Sequence, residues 1–267
     1  MPVICALGDL LLDVVVKLSR PLAEGDDTHG ETRAGAGGQA ANVAAWAAAL
    51  GAEARFVGKV GADGAGELVE ADLRRHAVDV LGPPPAGRNG VVVSLVELDG
   101  SRTMVSDRGV AVELAPGDLQ AEWFGRADWL HLSGYSLMAD PIGAAAERAA
   151  ALAREGGAKV SIDLSSANLI REFGHDRLAE RVARIRPDAV FGNEAEHEEL
   201  SVDSEVRIVK RGAEGASIAG RSLAVHPGEV VDTTGAGDAL AAGYLVGGPE
   251  LAMEAAARCV ARIGSMP

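Results

Sequence analysis

The chain is short of aromatic residues. Only 3% of its 267 residues are Phe, Trp or Tyr, so the core must be built mainly from the Ala, Val and Leu that dominate its 48% hydrophobic content. Cysteine is nearly absent. Cys5 and Cys259 stand far apart with no CxxC pair, which argues against a disulfide framework or a cysteine zinc site and leaves two buried, apolar-like thiols. Positive charge is in deficit, with 25 Lys and Arg against 39 Asp and Glu and a formal net charge of −14. Nucleic acid and anionic membrane surfaces both favour a basic face, so neither is expected as a partner. No window reaches the roughly 18 uninterrupted apolar residues of a membrane span. Residues 1–8 have no basic segment ahead of a long apolar stretch, so they do not read as a signal peptide, and the expected location is cytoplasmic. The six His residues are scattered, with no HxxxH pair and no GxSxG elbow near them. GxxxxGK[ST] is missing, since Gly58-Lys59 is followed by Val60, and a single glycine, Gly8, follows the first apolar run. A hydrolase, a metalloprotein, a Walker ATPase and a Rossmann dehydrogenase are therefore poor fits.

What is present is a regular alternation. Apolar runs at 3–7, 55–58, 129–132, 159–162, 189–191 and 207–209 read as short strands. Helical patterns lie at 39–50, stopped by Gly51, and near 142–155, 176–185 and 194–200. A further helix capped by Asp63 runs to about His76, with Leu68, Val69 and Leu73 on one side. This rhythm indicates βαβ units in an α/β fold: a single domain over 1–267 with a doubly wound, mostly parallel sheet flanked by helices. Two segments break it. Runs at 11–17 and 31–33 flank the polar stretch 24–30, and runs at 91–98 and 102–106 flank the turn signal Asp99-Gly100. Both read as antiparallel strands outside the main sheet. They form a small β-sheet lid from segments of about 11–34 and 88–108, placed over a site at the strands' C-terminal ends. Edge hairpins without function are the alternative. Gly82-Pro83-Pro84-Pro85 reads as a stiff turn between core and hairpin, not a domain boundary.

Five motifs carry chemistry. Asp232-Thr233-Thr234-Gly235-Ala236-Gly237-Asp238 opens into an apolar helical stretch from Ala239. Such a turn leaves backbone N–H groups unpaired where the helix dipole is positive, which suits a phosphate. Asp238 is an odd neighbour for an anion. It makes sense as a general base for a hydroxyl that attacks the phosphate, with a helix N-cap as the competing reading. In the second motif, Gly37 and Gly38 let a ligand approach the backbone. Asn42, one turn on, suits a polyol hydroxyl or is simply a buried Asn. Asp13 ends the first strand region, five residues after Gly8; it accepts sugar hydroxyls or is an exposed strand end. Asn193 and Glu196 share one face of a helix start, where they hold Mg²⁺ through water or form a capped acidic helix with Glu198 and Glu199. Lys210-Arg211-Gly212-Ala213-Glu214-Gly215 follows a strand and permits a tight turn near a nucleotide, or an ordinary hairpin turn.

In this order and spacing the motifs resemble the ribokinase-like (PfkB) carbohydrate and nucleoside kinases over essentially the whole chain. The resemblance implies a kinase that moves the ATP γ-phosphoryl group to a hydroxymethyl group of a small sugar or nucleoside, with ATP and Mg²⁺ as cofactors. It implies Asp238 as base, with the N–H groups of Gly235, Ala236 and Gly237 as anion hole. Asp13, Gly37, Gly38 and Asn42 would bind substrate, and Asn193 and Glu196 would organise phosphates and Mg²⁺. Lys210, Gly212 and Gly215 would surround the nucleotide, and the helix around Met253 and Ala256 would border adenine. Asp232 and Thr234, with Arg262 and Gly264, would stand beside K⁺, near the last residue, Pro267. A homodimer through the lid is also implied. A non-catalytic sugar- or nucleotide-binding regulator on the same fold is the reading from a different class. Leu10, Leu11 and Leu12 stand where ribokinase has an Asn, Gln39 where it has Lys, and Ser133-Gly134 where it has a substrate-contacting Glu. Ribose is therefore not the expected acceptor.

Overall fold

The computed structural model describes residues 1–98 and 102–267; the Asp99-Gly100 turn lies outside the described residues. The strands are β1 (Val3–Leu7), β2 (Leu11–Leu18), β3 (Gly30–Gly37), β4 (Glu53–Val57), β5 (Val78–Leu81), β6 (Asn89–Val96), β7 (Arg102–Gly109), β8 (Trp129–Ser133), β9 (Lys159–Asp163), β10 (Ala189–Asn193), β11 (Val206–Lys210), β12 (Ala216–Ile218) and β13 (Arg221–Leu223). The helices are α1 (Gln39–Ala49), α2 (Gly64–Arg75), α3 (Gly134–Leu137), α4 (Ile142–Glu155), α5 (Ala167–Phe173), α6 (His175–Ile185), α7 (Glu194–Glu199), α8 (Ala236–Gly247) and α9 (Pro249–Val260).

A nine-stranded sheet in the order β13-β12-β11-β10-β9-β8-β1-β4-β5 forms the centre. From β11 to β5 every pairing is parallel, and β12 and β13 close one edge antiparallel. The doubly wound sheet expected from the rhythm is present. β1 shows why the strands are continuously apolar. Ile4 and Ala6 point into a core shared with α1, α8 and α9, while Val3, Cys5 and Leu7 point into one shared with α4 and α6. Both faces are covered, as parallel sheets require. The Ala-rich α1 and the Gly- and Ala-containing α8 lie against each other, which small side chains permit. Both thiols are buried; burial pushes Cys5 up to about 11 and Cys259 up to about 12. Chain order leaves β1 for β4 and β5 on one side and returns through β8 on the other. The β1/β8 junction is therefore the switch point, where open α/β sheets bind ligands at the strands' C-terminal ends.

The smaller sheet has the order β3-β2-β6-β7. Each pair, β2 with β3 and β6 with β7, is antiparallel as expected. The two pairs join differently, because β2 and β6 run parallel. The chain crosses the main sheet between them, so β6 arrives in the direction of β2. Three further differences are local. β5 and the hairpin strands β12 and β13 escape the sequence pattern because they are very short. β3 runs from Gly30 to Gly37, longer than its apolar content suggests. On α2, Asp63 accepts from Gly66 N–H at 3.0 Å as expected of a cap, and Val69 and Leu73 are buried. Leu68, expected beside them, is 43% exposed: one residue is about 100° of helix rotation, which carries it off the buried stripe. Among the described residues no helix is long and apolar enough to cross a membrane.

Candidate active site

The turn before α8 sets the geometry. Gly235 adopts φ 77° and is the N-cap residue of α8, without a side-chain cap. Asp238 therefore sits at the third helical position, and the capping reading does not hold. Its Oδ2 instead accepts a hydrogen bond from Asn42 Nδ2 at 2.7 Å. Asn42 Oδ1 accepts from Ser265 Oγ at 3.1 Å, and the Ser265 carbonyl accepts from Trp46 Nε1 at 2.8 Å. Asn42 thus turns toward Asp238 and the C-terminal segment. Burial pushes the Asp238 carboxyl up to about 7; the Asn42 hydrogen bond opposes the rise, Asp163 adds to it, and Lys210 and Gln39 oppose it. A carboxylate titrating near neutrality suits proton abstraction. Ala236 N–H reaches back to Thr233 O at 3.3 Å. The N–H groups of Gly237 and Asp238 have no intrahelical partner, as at any helix start, and face the dipole's positive end.

Two cavities border this turn. The first, of about 810 Å³, is lined by Asp13, Gly38, Asn42, Thr234, Gly235 and Asp238, with Asp9, Gln39 and Arg108. The second, of about 680 Å³, is lined by Lys210, Gly212, Gly215, Ala236, Gly237, Met253 and Ala256. The predicted substrate and nucleotide residues thus separate into two chambers flanking the turn that carries Asp238. Asp13 belongs to β2 of the smaller sheet rather than to the end of the first strand, because the chain turns at residues 8–10. The lid itself delivers this carboxylate. Two glycines allow the approach: a methyl group on Gly37 would stand 2.8 Å from Asp13 Cβ, and one on Gly38, where φ is +103°, would stand 2.3 Å from the Asp9 carbonyl oxygen.

The 212–215 turn is a hairpin turn, as one of its readings had it. It joins β11 to antiparallel β12, with Gly215 N–H bonded to Gly212 O at 3.1 Å, and it also lines the second cavity. Asn193 and Glu196 bind each other in a reciprocal capping box. Glu196 N–H donates to Asn193 Oδ1 at 2.9 Å, and Asn193 N–H to Glu196 Oε2 at 2.8 Å. Neither is among the residues lining the two cavities. Burial raises the Glu196 carboxyl, Lys210 opposes the rise and Asp163 adds to it. Among the described residues no three His, Cys, Asp or Glu side chains form a metal cage. The donor set fits a hydrated Mg²⁺ held by phosphates rather than a protein-bound ion. Asp232 accepts from Thr234 N–H at 2.8 Å, Thr234 Oγ1 at 2.7 Å and Gly264 N–H at 3.0 Å. These bonds fold the last residues back over the turn.

Sequence reasoning missed Asp9, Arg108 and Asp163 as neighbours of the site, and it named Gln39 without giving it a role. Arg108 binds Asp9 through two hydrogen bonds of 2.6 and 2.8 Å and donates to the Tyr135 carbonyl at 3.0 Å. Asp163, 1% exposed, pairs with Lys210 at 2.8 Å. Gln39 Oε1 accepts from Ser133 Oγ at 2.6 Å and Ser165 Oγ at 2.7 Å, which turns its amide N–H toward Asp238. Asp9 and Asp163 had a signal, since both close or follow apolar strands of a parallel sheet, where ligands bind. Arg108 had none, because its partner is 99 residues away.

Comparison with known proteins identifies the family. The sequence model described as pfkB family carbohydrate kinase matches residues 1–266. An ATP-dependent ribose-1-phosphate kinase of Halopiger xanaduensis is 34% identical, over 96% of this chain and 90% of that protein. A probable sugar kinase protein from Rhizobium etli superposes with TM-score 0.87 at 25% identity, covering 99% of this chain and 94% of the other. The adenosine kinase of Sinorhizobium meliloti superposes with TM-score 0.85 at 24% identity, covering 99% and 95%.

Proposed function

Because the chain belongs to the pfkB family of carbohydrate kinases, we propose that its two cavities hold the two substrates of one phosphoryl transfer. The protein is an ATP-dependent kinase that moves the γ-phosphoryl group to a hydroxymethyl group of a small sugar or sugar derivative. The observation that carries the assignment of roles is Asp238, pushed up to about 7 in the first cavity, on the turn whose Ala236 and Gly237 line the second. The acceptor lies in the first cavity, with Asp13 from the lid on its hydroxyls. ATP lies in the second, between the 212–215 turn and Met253 and Ala256 of α9. Gly235, Gly237 and the start of α8 receive the γ-phosphoryl group. Asp238 takes the hydroxyl proton as the O–P bond forms, and ADP leaves. Mg²⁺ bound with ATP would neutralise phosphate charge, and Asn193 and Glu196 are the residues that would hold its waters. A K⁺ ion beside the turn would involve Asp232 and Thr234, which predicts a faster rate in KCl than in a tetraalkylammonium salt. A cytoplasmic location, where ATP is abundant, goes with this reading.

The lining favours an uncharged acceptor. Asp9, Asp13, Glu172 and Asp238 face the first cavity, and Arg108, the one lining cation among the described residues, is already bonded to Asp9. One observation favours a nucleoside as second reading: Leu11, Val92, Met104, Tyr135, Met138 and Phe173 give the same cavity a broad apolar wall that fits a base. An ADP-release assay over neutral ketoses and pentoses, sugar acids, nucleosides and ribose 1-phosphate tests both. Neutral acceptors should be used. Ribose 1-phosphate as the preferred acceptor would overturn the charge argument, and no acceptor at all, with ATP still bound, would favour a binding protein.

A further inference from the structure

Lys210 ends β11 at the C-terminal edge of the parallel sheet, in register with Asn193 of β10. Its ammonium donates to both oxygens of Asp163, at 2.8 and 3.0 Å. Asp163 is itself fixed, accepting from Ser165 N–H at 2.9 Å. The Lys210 side chain keeps 19% exposure and lines the second cavity. A methyl group on Gly237 would lie 3.4 Å from its Nζ. The ammonium therefore lies close to the turn that presents the open N–H groups and Asp238. Burial works against its charge, but Asp163 and Glu196 outweigh burial and keep it protonated.

A stabilising role alone explains this placement poorly. Buried ion pairs add little over an apolar pair of the same volume, and an apolar pair would not need to face a cavity. An ammonium has three N–H donors, and among the described residues this one donates to Asp163 alone. The remaining donor capacity stands in the second cavity, beside Gly237 of the turn that carries Asp238.

We infer that Lys210 is a catalytic residue of the transfer: its ammonium bonds the γ-phosphoryl group as it passes from ADP to the acceptor oxygen, with Asp163 as the positioning residue that holds it. The inference rests on the kinase reading above. In the step the acceptor O–P bond forms and the bond from phosphorus to the β-phosphate oxygen breaks. The electron pair of the broken bond leaves with ADP, and the hydroxyl proton goes to Asp238. Lys210 keeps its proton and supplies a charge-assisted hydrogen bond.

The test compares wild type, Lys210→Met, Lys210→Arg and the apolar pair Asp163→Leu/Lys210→Met. It measures binding of ADP and of a β,γ-imido ATP analogue by calorimetry, kcat by ADP release, and melting temperature. Lys210→Met should weaken the analogue tenfold or more, leave ADP within about twofold, and lower kcat by about 10²–10³-fold, the usual effect of losing one transition-state donor. Lys210→Arg should recover part of the analogue affinity. The apolar pair should melt near wild type while lacking the preference for the triphosphate, so the inference stays testable where Lys210→Met does not fold. Equal weakening of ADP and analogue, a kcat for Lys210→Met within threefold of wild type, or restored activity in the apolar pair would each overturn it. If no acceptor is phosphorylated by wild type, the kinase reading fails, and the two binding measurements still decide whether Lys210 touches the γ-phosphate.

Discussion

Asp238→Asn keeps the shape of the side chain and removes the proton acceptor. The wild-type carboxyl accepts from Asn42 at 2.7 Å, and an amide oxygen can do the same. A positioned general base contributes about 10²–10⁴-fold, so kcat should fall by that factor while ATP affinity holds or improves slightly, a negative charge beside phosphate having been removed. The carboxyl's rise from 3.8 to about 7 adds two further readouts. Wild-type kcat/KM should climb about tenfold per pH unit below about 7 and level off above it, because the base must be ionised. An ordinary Asp would give a flat profile across neutral pH. The same rise is a stability statement. The native carboxyl binds its proton more tightly than the unfolded one, so wild-type stability falls as pH increases from about 4 to about 7. A shift of that size corresponds to about 4 kcal/mol, an upper bound because the cavity admits water. Asn carries no charge and escapes this loss. Taking about half the bound, the variant should melt roughly 4–8 °C above wild type at pH 8 and level with it near pH 4. The assays are ADP release from about pH 5.5 to 9, calorimetric ATP binding, and melting at both pH extremes. A kcat within about threefold of wild type, or a flat wild-type profile, would refute the assignment of Asp238 as base.

Asp13→Ala should impair acceptor use about tenfold to a hundredfold, from polar groups left without their partner at roughly 1–3 kcal/mol each, with ATP binding unchanged; equal losses for both substrates would make Asp13 structural. Gly38→Ala should destabilise the start of α1 by about 1–3 kcal/mol, since the added methyl meets the Asp9 carbonyl at 2.3 Å, and an unchanged melting temperature would contradict that geometry. Acceptor binding should slow amide exchange in β2, β3, β6 and β7, and exchange unaltered with substrate demonstrably bound would reject the lid role. Ser265→Ala removes the donor to Asn42 Oδ1 and should lower kcat without weakening ATP; a wild-type kcat would show that the C-terminal segment does not orient Asn42.

The class of the fold and the glycine-broken turn before α8 were both legible in the chain alone. Continuous apolar strands such as Val3–Leu7 can only be buried on both faces, and their alternation with helices forces a parallel sheet. A glycine-broken turn ahead of an apolar helix puts N–H groups at a positive dipole whatever surrounds it, so 235–238 was legible locally. The 212–215 turn was legible for the same reason: a strand, a tight turn and two glycines are neighbours in the chain. Tertiary structure decided everything that depends on a distant partner. Asp238 could be read as a cap until the fold brought Asn42 to it from 196 residues away. Asp13 could be read as an exposed strand end until β2 was laid on Gly37. The parallel pairing of β2 with β6 needed the intervening crossover. The Arg108–Asp9 and Lys210–Asp163 pairs join residues 99 and 47 positions apart. Burial and charge at those positions are properties of the assembled site, because desolvation and Coulomb interactions act through space and not along the chain.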